Sequence, residues 1–243
     1  MNARRGAATI GWISLAAAAA GVFVWLGNWQ LSRADEKREI YTSFLQRGEA
    51  ARINLNDQLF SDRTAVEMAG YPVRVVGQYA NENVLLDNQI NAGRAGYMVY
   101  TPLKVRSAGY WILVNRGWVP IPPDRGTAPP ILTVSEPVTA IGLASDVVSS
   151  GMVLRGADEV ERLDAKNIRL QRIDLTSLAE WLEIPLAPFT VLLDPDVDTD
   201  FVRHWRIPGS GQERHLGYAF QWFAMAATVI ILCAALLWRA RRE

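Results

Sequence analysis

Only two histidines, His204 and His215, and one cysteine, Cys233, are available to ligate a transition metal in this chain of 243 residues. Two imidazoles cannot make a His-rich centre, and one thiol cannot supply the ligand pair that Cu(I) prefers. Cys233 lies within a C-terminal apolar run and is read as a small hydrophobic filler; being single, it allows no internal disulfide. Asp194, Asp196, Asp198 and Asp200 alternate. Four carboxylates at period two could hold a hard cation, but the segment is read as a solvated loop. Gly-x-Gly-x-x-Gly, the P-loop, Gly-x-Ser-x-Gly and His-Glu-x-x-His are all missing, so nothing in the sequence demands an enzyme.

His215 stands apart because of its place. It opens the second of two long apolar runs, and Tyr218, Ala219, Trp222 and Ala226 follow at i+3, i+4, i+7 and i+11. These residues share one helical face. The face joins an imidazole, a phenol and an indole to two small residues that let a flat ligand or another helix come close. One reading is an interfacial histidine at a helix start, with aromatics anchoring it among headgroups. The other is an axial haem ligand, because a neutral imidazole at an apolar boundary is a common ligand of haem iron. The residues alone leave both open.

The elements that must position this face come next. An uncharged run extends from Ala7 to Leu26 and another from Leu216 to Trp238. At 1.5 Å per residue either can cross a hydrocarbon core of about 30 Å. Trp12 and Trp29 bracket the first and Trp205 and Trp238 the second, as rings that favour the headgroup level do. Trp25 and Trp222 lie further in and are expected at helix contacts. The first run is read as an anchor and not a cleaved signal peptide, because it continues through Val22–Leu26 beyond the Ala18–Gly21 segment where cleavage would fall. Arg4 and Arg5 before the first run, and Arg239, Arg241 and Arg242 after the second, place both termini in the cytoplasm. Arg33, Lys37 and Arg38 lie on the opposite flank, but long segments cross largely regardless of charge. The expected layout is a transmembrane helix over 7–29, an extracytoplasmic domain over 30–214 and a second transmembrane helix over 215–238. The absence of an Arg- and Ser-rich transit segment favours a bacterial inner membrane.

Lys plus Arg and Asp plus Glu both number 25, so no cationic excess exists for nucleic acid. After a charged helical stretch from Gln30 to Gly48, β-branched and aromatic residues set out strands at Tyr71–Tyr79, Asn83–Gln89, Tyr97–Val105 and Tyr110–Asn115. Asn91-Ala-Gly93 and Ser107-Ala-Gly109 fit hairpin turns, and Pro120–Pro130, with five prolines, is a loop. Later strands are expected at Val138–Leu143, Ile168–Ile173 and Phe189–Leu193. Leu175, Leu178, Ala179 and Leu182 recur at helical spacing behind Asp174, a candidate N-cap. The fold class is α+β: two terminal helices flanking a mainly antiparallel β domain, a sandwich or a partly closed barrel.

Four clusters in order carry a resemblance. They are Leu26-Gly-Asn-Trp-Gln-Leu-Ser-Arg33; Leu86-Asp-Asn-Gln89 with Gly93, Gly96, Tyr97, Val99 and Thr101-Pro-Leu103; Val114-Asn-Arg-Gly-Trp-Val-Pro120; and His215-Leu-Gly-Tyr-Ala-Phe-Gln-Trp-Phe223. With the two-helix layout, and over nearly the whole chain, they resemble the Surfeit-locus (Surf/Shy) family of cytochrome c oxidase assembly factors.

The resemblance implies a non-enzymatic factor that assists insertion of haem a into subunit I of an aa3-type oxidase. It names subunit I as a partner, haem A synthase as a further candidate and the lipid bilayer as the setting. It makes His215 the metal ligand and Trp222 a cofactor contact, and the helical face they share adds Tyr218. Members often carry a polar amide pair before that histidine, whereas this chain has Glu213-Arg214; Arg214 is then a candidate partner for a haem propionate. For Asn115-Arg116-Gly117-Trp118 a structural role is favoured, with Gly117 supplying a conformation other residues resist; the same holds for Asp87-Asn88-Gln89. Trp29 and Arg33 are expected to face the second helix near His215. One rival is a scaffold that holds subunit I without touching haem. Another is a membrane-tethered ligand-sensing domain, which would call for a longer cytoplasmic region than Met1–Arg5 and Arg239–Glu243 provide.

Overall fold

A computed structural model describes residues 2–57, 65–106, 108–147, 160–195, 201–205, 207–240 and 242. In chain order the first elements are α1 (Asn2–Gly48), β1 (Ile53–Asn54), α2 (Ala65–Met68), β2 (Pro72–Tyr79), β3 (Asn83–Asn91), β4 (Arg94–Val105) and β5 (Trp111–Pro120). There follow β6 (Val138–Ser145), β7 (Glu161–Arg162), β8 (Asn167–Leu170), α3 (Leu175–Leu182), β9 (Leu186–Leu193) and α4 (Gln212–Ala240). They fall into two compact units, one of Met1–Ser43 with Ile207–Glu243, the other of Phe44–Arg206. The acids Asp196, Asp198 and Asp200, and Ser107 of the predicted turn, lie outside the described residues; so do the side chains of Arg4, Arg5 and Arg241.

The helical unit pairs α1 with α4. Ala, Leu and other strong helix formers fill the apolar part of α1, and no proline interrupts it. The charged stretch after Arg33 is the same helix, its surface held by an Arg33–Glu36 ion pair at 2.6 Å. The protected positions of α1 include Ile13, Ala16, Ala20, Phe23, Gly27, Gln30, Ala34, Lys37 and Tyr41, at alternating spacings of three and four. On α4 they include His215, Ala219, Trp222, Ala226, Val229 and Cys233 at the same spacing. A seven-residue repeat on both helices gives a coiled-coil seam, here antiparallel, since Gln30 meets His215 while Phe23 meets Trp222. Ala20, Gly27 and Ala34 on one side, and Ala219 and Ala226 on the other, are buried and let the backbones approach. Cys233 is a half-buried filler of this seam.

Both helices are long and apolar enough to cross a membrane, over Gly11–Gly48 and Gln212–Arg239. Only 11% and 6% of their apolar windows are covered by protein, so neither is the core helix of a soluble domain. Trp222 is half-buried at the helix contact, as expected, but Trp25 is not. It is 65% exposed, because the repeat places Phe23 and Gly27 on the seam and turns position 25 outward.

The second unit is a barrel. β2, β6, β9, β5 and β4 form a ring that closes where Gly77–Tyr79 pair with Leu103–Val105. Neighbours are antiparallel except β5 and β9. β1 lies beside β2, and β3, β8 and β7 extend the sheet beyond β4. The sandwich alternative is thereby set aside in favour of a fully closed five-stranded barrel with extra strands. Alternate residues fill the interior: Val73 and Val75, Leu103 and Val105, Ile112 and Val114, Ala187, Phe189, Val191 and Leu193. This is the period-two pattern that puts one face of every strand inside.

Local chemistry explains the connections. β3 turns into β4 through Ala92 and Gly93, both at positive φ, as a two-residue hairpin of matching twist requires. α3 starts at Asp174, whose carboxylate accepts the Ser177 amide hydrogen bond at 2.8 Å, and Leu178 buries its apolar face.

Candidate functional site

Among the described residues, the seam of the helical unit holds one hydrogen-bonded side-chain pair between the helices. His215 opens α4 one turn from its start, and its Nδ1 lies 2.7 Å from Oε1 of Gln30 on α1. The ring is half-buried. No described residue engages its other nitrogen, Nε2, and no buried polar side-chain atom in the described structure lacks a partner. Nε2 therefore reaches the surface of the helix pair. An imidazole tethered at Nδ1 and open at Nε2 has the donor arrangement of a metal-bound histidine. These residues fit a haem to that extent: one accessible imidazole nitrogen on a ring held at Nδ1 by Gln30.

The approach to α4 is fixed by the loop before it. Gly209 has φ +76°, and a Cβ there would collide with the Lys37 carbonyl and the Tyr41 amide. Only glycine lets this loop lie so close to α1, and that closeness sets the height at which His215 enters the seam.

The other predicted residues divide. Trp222 stands two turns below His215 on the seam and stacks on Phe23, ring centroids 5.7 Å apart at 29°. Its ring is thus engaged by the partner helix. Tyr218 is exposed, as is Arg214, and the two follow each other at i+4 on the flank of the seam beside His215. Trp29 and Arg33 fall beside the seam and not on it. Trp29 is exposed and Arg33 turns to Glu36; the contact expected from them is made by Gln30 instead. The reason is phase, since positions 27, 30 and 34 carry the repeat and 29 and 33 fall beside it. Gln30, an amide among aromatics, does not stand out by type, although the spacing of Ala20, Gly27 and Ala34 points to it.

The second and third sequence clusters meet inside the barrel unit. β5 runs on past Asn115 to Pro120, with Arg116 as an extra residue opposite the Val99–Tyr100 step of β4. Gly117, at φ +126°, donates its amide hydrogen to Asn115 Oδ1, and a Cβ there would press on Phe201. The Arg116 guanidinium is buried between the rings of Tyr79 and Phe201, 5.3 and 4.7 Å from their centroids. Burial pulls its pKa below the ordinary range; Tyr79 opposes that and Arg203 adds to it. Trp118 Nε1 donates to the Gln89 carbonyl at 3.0 Å, and the indole covers Gly96. Asp87 accepts the Asn88 amide and pairs with Arg125, both at 2.7 Å. These clusters brace the barrel against itself. Among the described residues no group of three His, Cys, Asp or Glu side chains could hold a metal ion.

The model of the SURF1 family matches residues 17–227, from within α1 to within α4. This chain belongs to the SURF1 family. A "SURF1-like protein" of Rickettsia felis is 26% identical over 223 residues, which is 87% of this chain and 90% of that one. SURF1 proteins are cytochrome oxidase assembly factors and not a catalytic family. The SURF1 match takes in both helices of the seam, and so Gln30, His215 and Trp222, together with the entire barrel.

Proposed function

We propose that this protein binds haem a on its helix pair and presents it to subunit I of an aa3-type cytochrome c oxidase. His215 Nε2 would hold the haem, which when bound supplies iron that takes such a nitrogen. The observation that carries the reading is the His215 ring, held at Nδ1 by Gln30 and accessible at Nε2. Exposed Tyr218 and Arg214 flank the ring on one side, where a guanidinium can meet a propionate and a phenol the macrocycle edge. A single protein ligand, His215, would hold the haem less completely than a pair would, which suits handing on better than storage. The protein binds and orients a cofactor whose chemistry is its own, with no reaction to catalyse.

The same reading places the chain in a bacterial inner membrane with both termini cytoplasmic and the barrel periplasmic. Its support is the basic residues that flank the two apolar runs outside the domain. Haem A synthase is the partner that would deliver the cofactor. The test is the spectrum of protein purified from a host that makes haem a. The wild type carries a Soret band and His215→Ala lacks it; unchanged haem content in the variant overturns the ligand role. One observation favours the rival scaffold reading, in which subunit I is held without haem: Trp222 stacks on Phe23 and is not offered to a ligand. Stoichiometric haem in the wild type decides between the two.

A further inference from the structure

Gln30 is out of character with its position. From Ile13 to Ala34 the other seam residues of α1 are Ile13, Ala16, Ala20, Phe23 and Gly27, with Ala34 closing the run, all apolar or small. A polar residue in such a seam costs stability and is kept for register or for a site. The Gln30 side chain is half-buried and makes one described hydrogen bond, to His215 Nδ1. That contact bears on which ring nitrogen is free. A carboxamide oxygen can only accept, so a ring nitrogen bonded to it carries the hydrogen, and the neutral ring then keeps its lone pair on the other nitrogen.

We propose that Gln30 is a positioning residue for His215: its amide oxygen accepts from Nδ1–H and fixes the ring as the tautomer whose Nε2 lone pair points out of the helix pair. The functional meaning rests on the haem-ligation reading above; the tautomer is a property of the protein alone. The same bond restrains ring rotation, so the lone pair has a set direction before any ligand arrives. Hydrogen bonds of this kind orient metal-bound imidazoles, and losing one costs about 10- to 100-fold in affinity. A residue that only set the register of the two helices would not govern the ring. An apolar replacement would then leave the imidazole unchanged.

The experiment uses the full-length protein in detergent, free of haem, with 15N in its histidine rings. The chain has two histidines, so the spectrum holds two rings, and His215→Ala assigns them by difference. Wild-type His215 is expected as the Nδ1–H tautomer. Gln30→Glu keeps an acceptor at the same reach, so Nδ1 keeps its hydrogen. Gln30→Leu suits the apolar seam and keeps the helix content, but loses the tautomer bias. Haem titration then gives a Kd about 10-fold weaker for Gln30→Leu and near wild type for Gln30→Glu. An Nε2–H ring in the wild type, as when the amide N–H donates to Nδ1, overturns the proposal. So do identical ring shifts in Gln30→Leu. Should the tautomers come out as expected while His215→Ala still binds haem normally, the ligation reading fails and the fixing of the ring by Gln30 stands.

Discussion

In the barrel unit the buried polar side chains answer to one another. Asn83 donates to Asn167 at 3.1 Å and accepts from Thr101 at 2.7 Å, which ties β3, β4 and β8 together. Asn115 serves the Gly117 amide, and Arg203 donates to the Arg116 and Asp194 carbonyls. In the helical unit the seam pair is half spent: Gln30 and His215 share one hydrogen bond and keep polar atoms at the surface. A buried polar group with all partners present rigidifies a fold, whereas one left open in apolar surroundings is available to a ligand. On the reading proposed above, the comparison leaves stability to the barrel unit and binding to the helix pair, although about half of the residues that carry the family resemblance lie in the barrel unit.

This division can be broken by mutations that should act on one unit and spare the other. The largest effect belongs to the barrel interior. Phe189 is fully buried at its centre, and Phe189→Ala is expected to cost about 3–5 kcal/mol of unfolding free energy. Denaturant melting of the barrel should show that loss, while the haem bound per folded molecule stays constant. A matching fall in haem affinity would mean that the units do not work separately. A seam substitution is expected to act on the helix pair and spare the barrel. At Gly27 a Cβ would lie 2.7 Å from the Phe223 ring, so Gly27→Val overpacks the seam one turn from Gln30. It should cost about 1–3 kcal/mol of helix pairing and weaken haem binding, with the barrel transition unmoved. Helical ellipticity during detergent denaturation, read beside the barrel transition, separates the two.

The barrel was largely legible because its signals are local. Runs of β-branched and aromatic residues mark β2, β4, β6 and β9 near their observed bounds, and Asp174 marks the start of α3. Closure was not legible, because it depends on how far β4 is staggered when it meets the end of β2, and alternation carries no stagger. Nor was the second half of β5. The extra residue Arg116 breaks the alternation at Asn115, so the strand read as ending where it only bulges. The candidate site was half legible. His215 could be picked out by type and place on its own helix. Its partner depends on the mutual register of two apolar helices, which neither periodicity contains alone. Residue type favoured Trp29, and the phase of the small residues favours Gln30.

The smallest predicted effect sharpens the comparison through pH. Tyr110 donates its hydroxyl hydrogen to the Leu55 carbonyl, and burial pushes its pKa up to about 12 from an ordinary value of 10.0. A phenol that holds its proton more tightly when folded stabilises the fold fully below pH 10, where the unfolded chain still keeps that proton. The contribution is lost as pH rises from 10 to about 12, because the unfolded chain ionises first. Tyr110→Phe should therefore cost about 1 kcal/mol near neutrality, the worth of one hydrogen bond, and the gap to wild type should narrow across that window. Tyr79 and Tyr100 are also shifted upward by burial, but they are present in both proteins and cancel in the difference. Tyr110 belongs to the barrel unit, so its alkaline transition should leave the His215 ring resonances where they were. Movement of those resonances with the Tyr110 titration would show the helix pair to be coupled to the barrel, and the separation of binding from stability would fail at its most sensitive point.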